Sequence, residues 1–336
     1  MMKTLKILFV GIILLAGCSK EKTGNTSVPV KENDVPKITS PEYTDQLLFV
    51  DKNNYQILTS DSATFSSSDT HIQITSSGLI KRLTSAEIAP IDITWKNTAN
   101  PKTTIYALGA TDINQDLPYK HYQGALATNA LAAYQQGWKT LQTFPAKDET
   151  YAIVLRHADA SNGVDFSVNH SYMGPANWWK SADSTLARQL NNQGIQRATI
   201  LGQVFKDLGY PIKRVVTSEF NRSRETAKLM NTSALPIIDG RINHLSYTVY
   251  PYGLYKGMIA IMQEQPVDNQ ITLIIAHHPI NELRAATGYP SFPDVSPFNW
   301  TGAYLIKISP DKSVTYLGAI SWAMFKYWRD IKLHQL

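Results

Sequence analysis

One cysteine, Cys18, stands in the 336 residues, so no intramolecular disulfide can form and no thiolate metal site can be built. Metal-ligand spacings such as His-Glu-x-x-His are missing too, and no metal or other cofactor is expected. Runs of basic residues are absent, and the formal net charge of +5 is a mild balance despite a pI near 9.0. A nucleic-acid partner therefore has little support. Up to about residue 148 internal repeats are absent as well. The apolar run at 7–15 is too short for a comfortable membrane span.

That run follows Lys3 and Lys6, the charged start of a secretory signal, and leads into Leu15-Ala16-Gly17-Cys18. The tetrapeptide matches the bacterial lipobox, in which the cysteine becomes the lipidated first residue of the mature chain; the bland alternative is a cysteine that happens to end an ordinary signal peptide. Residues 1–17 are thus expected to be cleaved, leaving a formal net charge of +3, since Lys3 and Lys6 go and no acid does. Residues 18–42 are polar, with mixed charge and few large apolar side chains. Such a stretch buries too little to order itself and reads as a tether. A lipid on Cys18 would hold the protein in the bacterial cell envelope, periplasmic or at the cell surface.

The remaining length favours two domains. Up to about residue 148, short strands are expected at 47–50, 55–58, 71–74, 92–95 and 103–108, with Asp51-Lys52-Asn53-Asn54 as turn chemistry. A helix rich in Ala and Leu should cover 124–141. Residues 43–148 therefore read as a β-rich accessory domain with one helix. Beyond 149 strand and helix alternate, which predicts an α/β fold: a doubly wound, mostly parallel sheet with helices on both faces. That domain is expected over 149–320, with 321–336 as a C-terminal tail. In the helix at 194–208, Ala198, Leu201, Val204, Phe205 and Leu208 share one face, while Gln196 and Arg197 point elsewhere.

Three apolar runs in this half end in cations or imidazoles. Tyr151-Ala152-Ile153-Val154-Leu155 leads to Arg156-His157-Ala158-Asp159; Val215-Val216-Thr217 leads to Ser218 and a helix start bearing Arg222 and Arg224; Ile271 to Ala276 leads to His277-His278-Pro279. Ligands of open parallel sheets gather beyond the strand carboxyl ends, so the backbone alone would deliver these side chains to one crevice. In that order the motifs resemble the histidine phosphatase superfamily, the phosphoglycerate mutase-like branch. Arg156-His157 stands for its first motif, Ser218-x-x-x-Arg222-x-x-x-Thr226-Ala227 for its second, and Ala276-His277 for its last. Leu190-Asn191-x-x-Gly194 stands for the helix start between the first two. The resemblance covers about residues 150–320. Two glycines of the pattern are alanines here, Ala158 and Ala276, and the glutamate that many members use as proton donor falls near His244 instead.

The resemblance implies a phosphomonoester hydrolase working through a phosphohistidine. A neutral imidazole approaches an anionic phosphate without the repulsion an anionic nucleophile meets, and His157 is the expected nucleophile. Arg156, Arg222 and His277 would clamp the equatorial oxygens; Arg222 holds the family position, whereas Arg224 reads as a surface residue. The proton donor is open among Asp159, His244 and Glu219, and Asp159 has an equally good reading as a residue orienting Arg156. Trp178 and Trp179, on a long loop, together with His244 and His278, are candidate substrate contacts, although loop aromatics more often pin a loop to the body. The expected partner is a phosphorylated small molecule or envelope component. A phosphomutase is the runner-up enzyme. A binding or scaffold lipoprotein with a disabled site is the reading from another class, motivated by the missing glutamate.

Overall fold

The computed structural model describes residues 35–50, 54–83, 88–99, 101–109, 125–166, 175–243, 256–277 and 300–334. Strands in the first part are β1 (Tyr43–Thr44), β2 (Leu47–Val50), β3 (Tyr55–Gln56), β4 (Ala63–Ser66), β5 (Ile72–Ile74), β6 (Leu79–Leu83), β7 (Ile88–Trp95) and β8 (Lys102–Gly109), followed by helix α1 (Ala125–Leu141). Then come β9 (Thr150–Arg156), α2 (Asn192–Asp207), β10 (Ile212–Thr217), α3 (Asn221–Met230), β11 (Pro236–Ile238), α4 (Lys256–Glu264), β12 (Ile271–Ala276), β13 (Ala303–Ile308), β14 (Val314–Ile320) and α5 (Trp322–Lys332).

The two parts bury their strands differently, and the sequence shows why. β9 and β12 are apolar without alternation and buried along almost their whole length, which is how a strand covered on both faces reads. β7 alternates, with Ala89, Ile91, Ile93 and Trp95 buried, the period of a strand with one buried face. The larger sheet has the order β11-β10-β12-β9-β13-β14. Its first four strands run parallel, and β13 runs antiparallel to both β9 and β14. The α/β class and the mostly parallel sheet are therefore present. The first part adds a five-stranded sheet, β1-β2-β8-β7-β4, in which β2 and β8 are parallel, and a small antiparallel sheet, β3-β6-β5.

The composition change near residue 148 is not a break in packing, because residues 36–336 form one compact unit. β2 shows the physical reason. Alternate side chains go to opposite sides of a strand: Leu47 and Phe49 join the core of the larger sheet, while Leu48 and Val50 join the core of the small β layer. Helix α1, expected as part of the accessory domain, lies on β14. Gly137 permits the approach, since a Cβ there would stand 1.9 Å from the Ala319 carbonyl oxygen, and Gly318 of β14 faces it. Trp138 of α1 stacks on Tyr327 at 5.4 Å between ring centres and donates its indole N–H to the Asp45 carbonyl. One side chain thereby joins the turn between β1 and β2, α1 and α5.

The segment 321–336, read as a tail, contains α5, capped by Ser321 and burying Met324, Phe325 and Tyr327. Phe325 meets Phe205 of α2 edge to face. Arg197 corrects a second expectation. Set apart from the apolar face in the sequence, it is nevertheless 5% exposed, pairs with Asp159 and lies over the Trp322 ring at 5.2 Å. The strands β4, β6 and β11 and the helix α4 were not expected from the sequence. Among the described residues, no helix is long and apolar enough to cross a membrane.

Candidate active site

The parallel strands β9, β12 and β10 end level with one another, and the site stands on those ends. The chain leaves β9 through His157, whose N–H donates to the Ala276 carbonyl at the end of β12, and Ser218 leaves β10 by donating to the Ile275 carbonyl. Arg156, His157, Arg222 and His277 are brought together as the motifs required. The His157 and His277 rings meet edge to face, 5.2 Å between centres. Arg222, His157 and His277 are each at most 2% exposed.

Two neighbours fix the His157 ring. Nδ1 lies 2.7 Å from the Ala158 carbonyl oxygen, which can only accept, so Nδ1 carries the proton and Nε2 keeps its lone pair. Arg222 Nε donates to that Nε2 at 3.2 Å. Burial, then Arg222 and Arg156, push the imidazole well below its ordinary pKa of 6.5, so it is neutral near pH 7. Arg156 is held below the usual guanidinium value by burial and by its neighbours Arg188 and Arg222, with Asp159 acting in the opposite sense. Its guanidinium lies 5.3 Å from the centre of the Trp300 ring. His277 Nε2 is 2.9 Å from Ser218 Oγ, and its ring packs against Phe220 at 4.4 Å.

The loop between His157 and α2 is held by the residues that spell the motifs. Thr226 Oγ1 accepts from the Ala158 N–H and donates to the Arg222 carbonyl, so the i, i+4 pair on α3 carries one guanidinium and one loop anchor. Asn191 caps α2 by accepting from the Gly194 N–H, and its own N–H donates to the Asp159 carbonyl. Gly194 is needed there, because a Cβ would stand 2.2 Å from the Asp159 carbonyl oxygen.

Other expected residues fall as follows. Asp159 is buried, with Oδ1 3.6 Å from Arg197 Nη1 on α2. Glu219 accepts from Trp179 Nε1, Lys180 Nζ and Asn243 Nδ2. Burial raises its pKa, but those donors outweigh it and hold the carboxyl below the usual range, a poor setting for an acid. Trp178 is 2% exposed and packs behind Phe220, an anchor for its loop, while Trp179 stands beside it and binds Glu219. Arg224 is only partly buried, in contrast to Arg222. His244, His278 and Cys18 lie outside the described residues. Among the described residues, no three of His, Cys, Asp and Glu gather into a metal-holding group.

The sequence reading missed Asp165 and Arg188. Asp165 Oδ1 lies 2.9 Å from Arg222 Nη1 and accepts from the Arg188 N–H at 3.0 Å, while Oδ2 lies 3.0 Å from Arg188 Nε. Burial raises this carboxyl, but Arg222 and Arg188 more than offset it and keep its pKa below the ordinary value. The general need of a buried arginine for a counter-charge was the only signal, and it does not say which carboxylate supplies it.

The sequence matches no protein-family model and no curated protein. Solved structures do match. The protein histidine phosphatase SixA complexed with tungstate is 17% identical, with a TM-score of 0.36 over 51% of this chain and 97% of that one. A putative phosphohistidine phosphatase SixA from Agrobacterium tumefaciens is also 17% identical, with a TM-score of 0.36 over 52% and 99%. A putative alpha-ribazole-5'-P phosphatase from Escherichia coli is 16% identical, with a TM-score of 0.37 over 52% and 98%. By their names all three are phosphatases, two of them acting on phosphohistidine or called histidine phosphatases.

Proposed function

We propose that the protein is a phosphomonoester hydrolase of the histidine phosphatase type, working without a metal through a phosphohistidine on His157. The observation that carries this reading is the fixed tautomer: Nδ1–H is committed to the Ala158 carbonyl, so the lone pair of Nε2 faces Arg222 among three guanidiniums. A phosphate monoester is an acceptor of matching charge. In the first step Nε2 forms a bond to phosphorus while the ester P–O bond breaks, and the leaving oxygen takes a proton from the site acid, Asp159 or His244, which regains it from the attacking water of the second step. In the second, water oxygen bonds to phosphorus, the P–N bond breaks, and inorganic phosphate and the neutral imidazole are released. Arg156, Arg222 and His277 stabilise the charge that spreads over the equatorial oxygens.

The deciding measurement is hydrolysis of an aryl phosphate across pH 5–8 with a chelator present. Turnover in the wild type and its loss in His157→Ala, with phosphate still bound, is the expected result. Turnover abolished by the chelator, or undiminished in His157→Ala, overturns the reading.

The envelope setting is a proposal of its own, supported by the Lys3, Lys6, 7–15 and Leu15-Ala16-Gly17-Cys18 pattern. Labelled fatty acid should enter the full chain in a bacterial host and be lost in Cys18→Ala. Label that persists in that variant would exclude Cys18 as the acceptor.

A further inference from the structure

Three arginines, Arg156, Arg188 and Arg222, surround His157, and a single carboxylate touches two of them. Asp165 is bound to Arg222 through Nη1 and to Arg188 through both Nε and the backbone N–H. Its side chain is 4% exposed, whereas that of Arg188 is 35% exposed. Arg222, held at Nη1 by this carboxylate, points Nε at the nucleophilic nitrogen of His157. A guanidinium is planar, so fixing two of its nitrogens fixes the third. Arg188 binds the same carboxylate, and its charge acts on both Arg156 and His157.

We propose that Asp165 is a positioning residue for the anion site, a bracket that sets the planes of Arg222 and Arg188, and that Arg188 is a further phosphate-binding side chain at its margin. The inference rests on the phosphatase reading of the same site. Asp165 does not serve as the proton donor in this arrangement, since two cations hold it ionised.

The bracket makes a prediction whose sign separates it from simple charge. Removing a negative charge beside an anion site should tighten phosphate binding by Coulomb attraction alone. A lost bracket should weaken it. In the full chain, Asp165→Asn is expected to weaken inorganic phosphate binding, measured by calorimetry, about tenfold, and to lower kcat/KM about 10²-fold, the order a misplaced group costs. Arg188→Lys keeps the charge and loses the Nε contact; it should act in the same direction more weakly, and being at the margin it spares the core. Combined with Asp165→Asn it should add little, because both remove one unit. Asp165→Glu should recover part of the loss.

Phosphate bound as tightly or more tightly by Asp165→Asn, or by Arg188→Lys, overturns the proposal. Wild-type chain that binds phosphate but does not turn over an aryl phosphate defeats the proposed activity and leaves the bracket testable by the same titration. Wild-type chain that binds no phosphate defeats both.

Discussion

At the scale of single residues, the character of the site is set by the cations that crowd His157. His157 is kept neutral by burial and by Arg222 and Arg156, so its folded pKa lies below 6.5. The proposed nucleophile is therefore neutral at pH values where a free imidazole is mostly protonated. The acid limb of kcat/KM is expected below pH 6.5, and in Arg222→Gln any residual activity should show that limb moved upward, because a repelling charge is gone. A pH–rate profile of both proteins checks this; an unmoved limb would refute the assignment. The same shift enters stability. Below about pH 6.5 the unfolded chain binds a proton at this position that the folded chain does not, so stability falls as pH drops from there toward the folded value. Melting temperatures between pH 7 and 5 should decline, with a shallower slope in His157→Asn. Asp165 does not contribute in that window, since its depressed pKa matters only as pH falls through the carboxylate range.

Arg156, His157, Arg222 and His277 were legible because each sits at a fixed offset from an apolar strand, and chain order alone carries them to one crevice. Asp165 was not legible: its partner Arg222 is 57 residues away, and nothing local in the loop distinguishes a bracket from a surface aspartate. Arg197 was misread for a related reason. Helical periodicity reports which side chains are apolar, and a buried ion pair with Asp159 breaks that pattern without leaving a mark in it.

At the scale of elements, the N-terminus of α2 does more than begin a helix. Asn191 satisfies the first turn and also holds the Asp159 carbonyl, and Gly194 lets the loop lie directly on the helix. Gly194→Ala is expected to push that loop away, destabilising the fold by about 1–3 kcal/mol as overpacking does and lowering turnover more than phosphate affinity. Thermal melts beside kinetics test it, and unchanged activity would show that the loop tolerates displacement. Asn191→Ala should cost about 1 kcal/mol through the lost cap. Strands β9 and β12 were readable because strands covered on both faces are continuously apolar, whereas β11 is exposed at all three positions and gave no such signal. Helix α5 escaped because Trp322, Tyr327 and Trp328 are weak helix formers, and its order comes from packing on Phe205 and Trp138.

At the scale of the whole molecule, β2 and α1 make the β-rich half part of the core of the α/β half. Residues 36–336 are accordingly expected to melt in a single calorimetric transition. A chain beginning at residue 149 would leave the faces that meet Leu47, Phe49, Leu108 and Trp138 open to water, and should be insoluble or molten. Two separated transitions, or a well-behaved C-terminal fragment, would show that the halves are independent. Composition alone pointed to two domains, because it registers the change from alternating to continuous strands and is blind to a strand that serves two cores at once.

The central position of β9, between β12 and β13, has a consequence for the order in which the protein is made. This strand is synthesised long before either of its sheet neighbours, and its antiparallel partner is complete only at Ile308. At ~5–20 residues per second the ribosome needs on the order of 10–30 seconds to add it. Until β12 is complete at Ala276 a nascent chain carries an apolar strand with both edges unpaired and His157 at its tip, and one edge stays open until Ile308. Any cell that makes this protein has to shield that strand until its last neighbours have emerged.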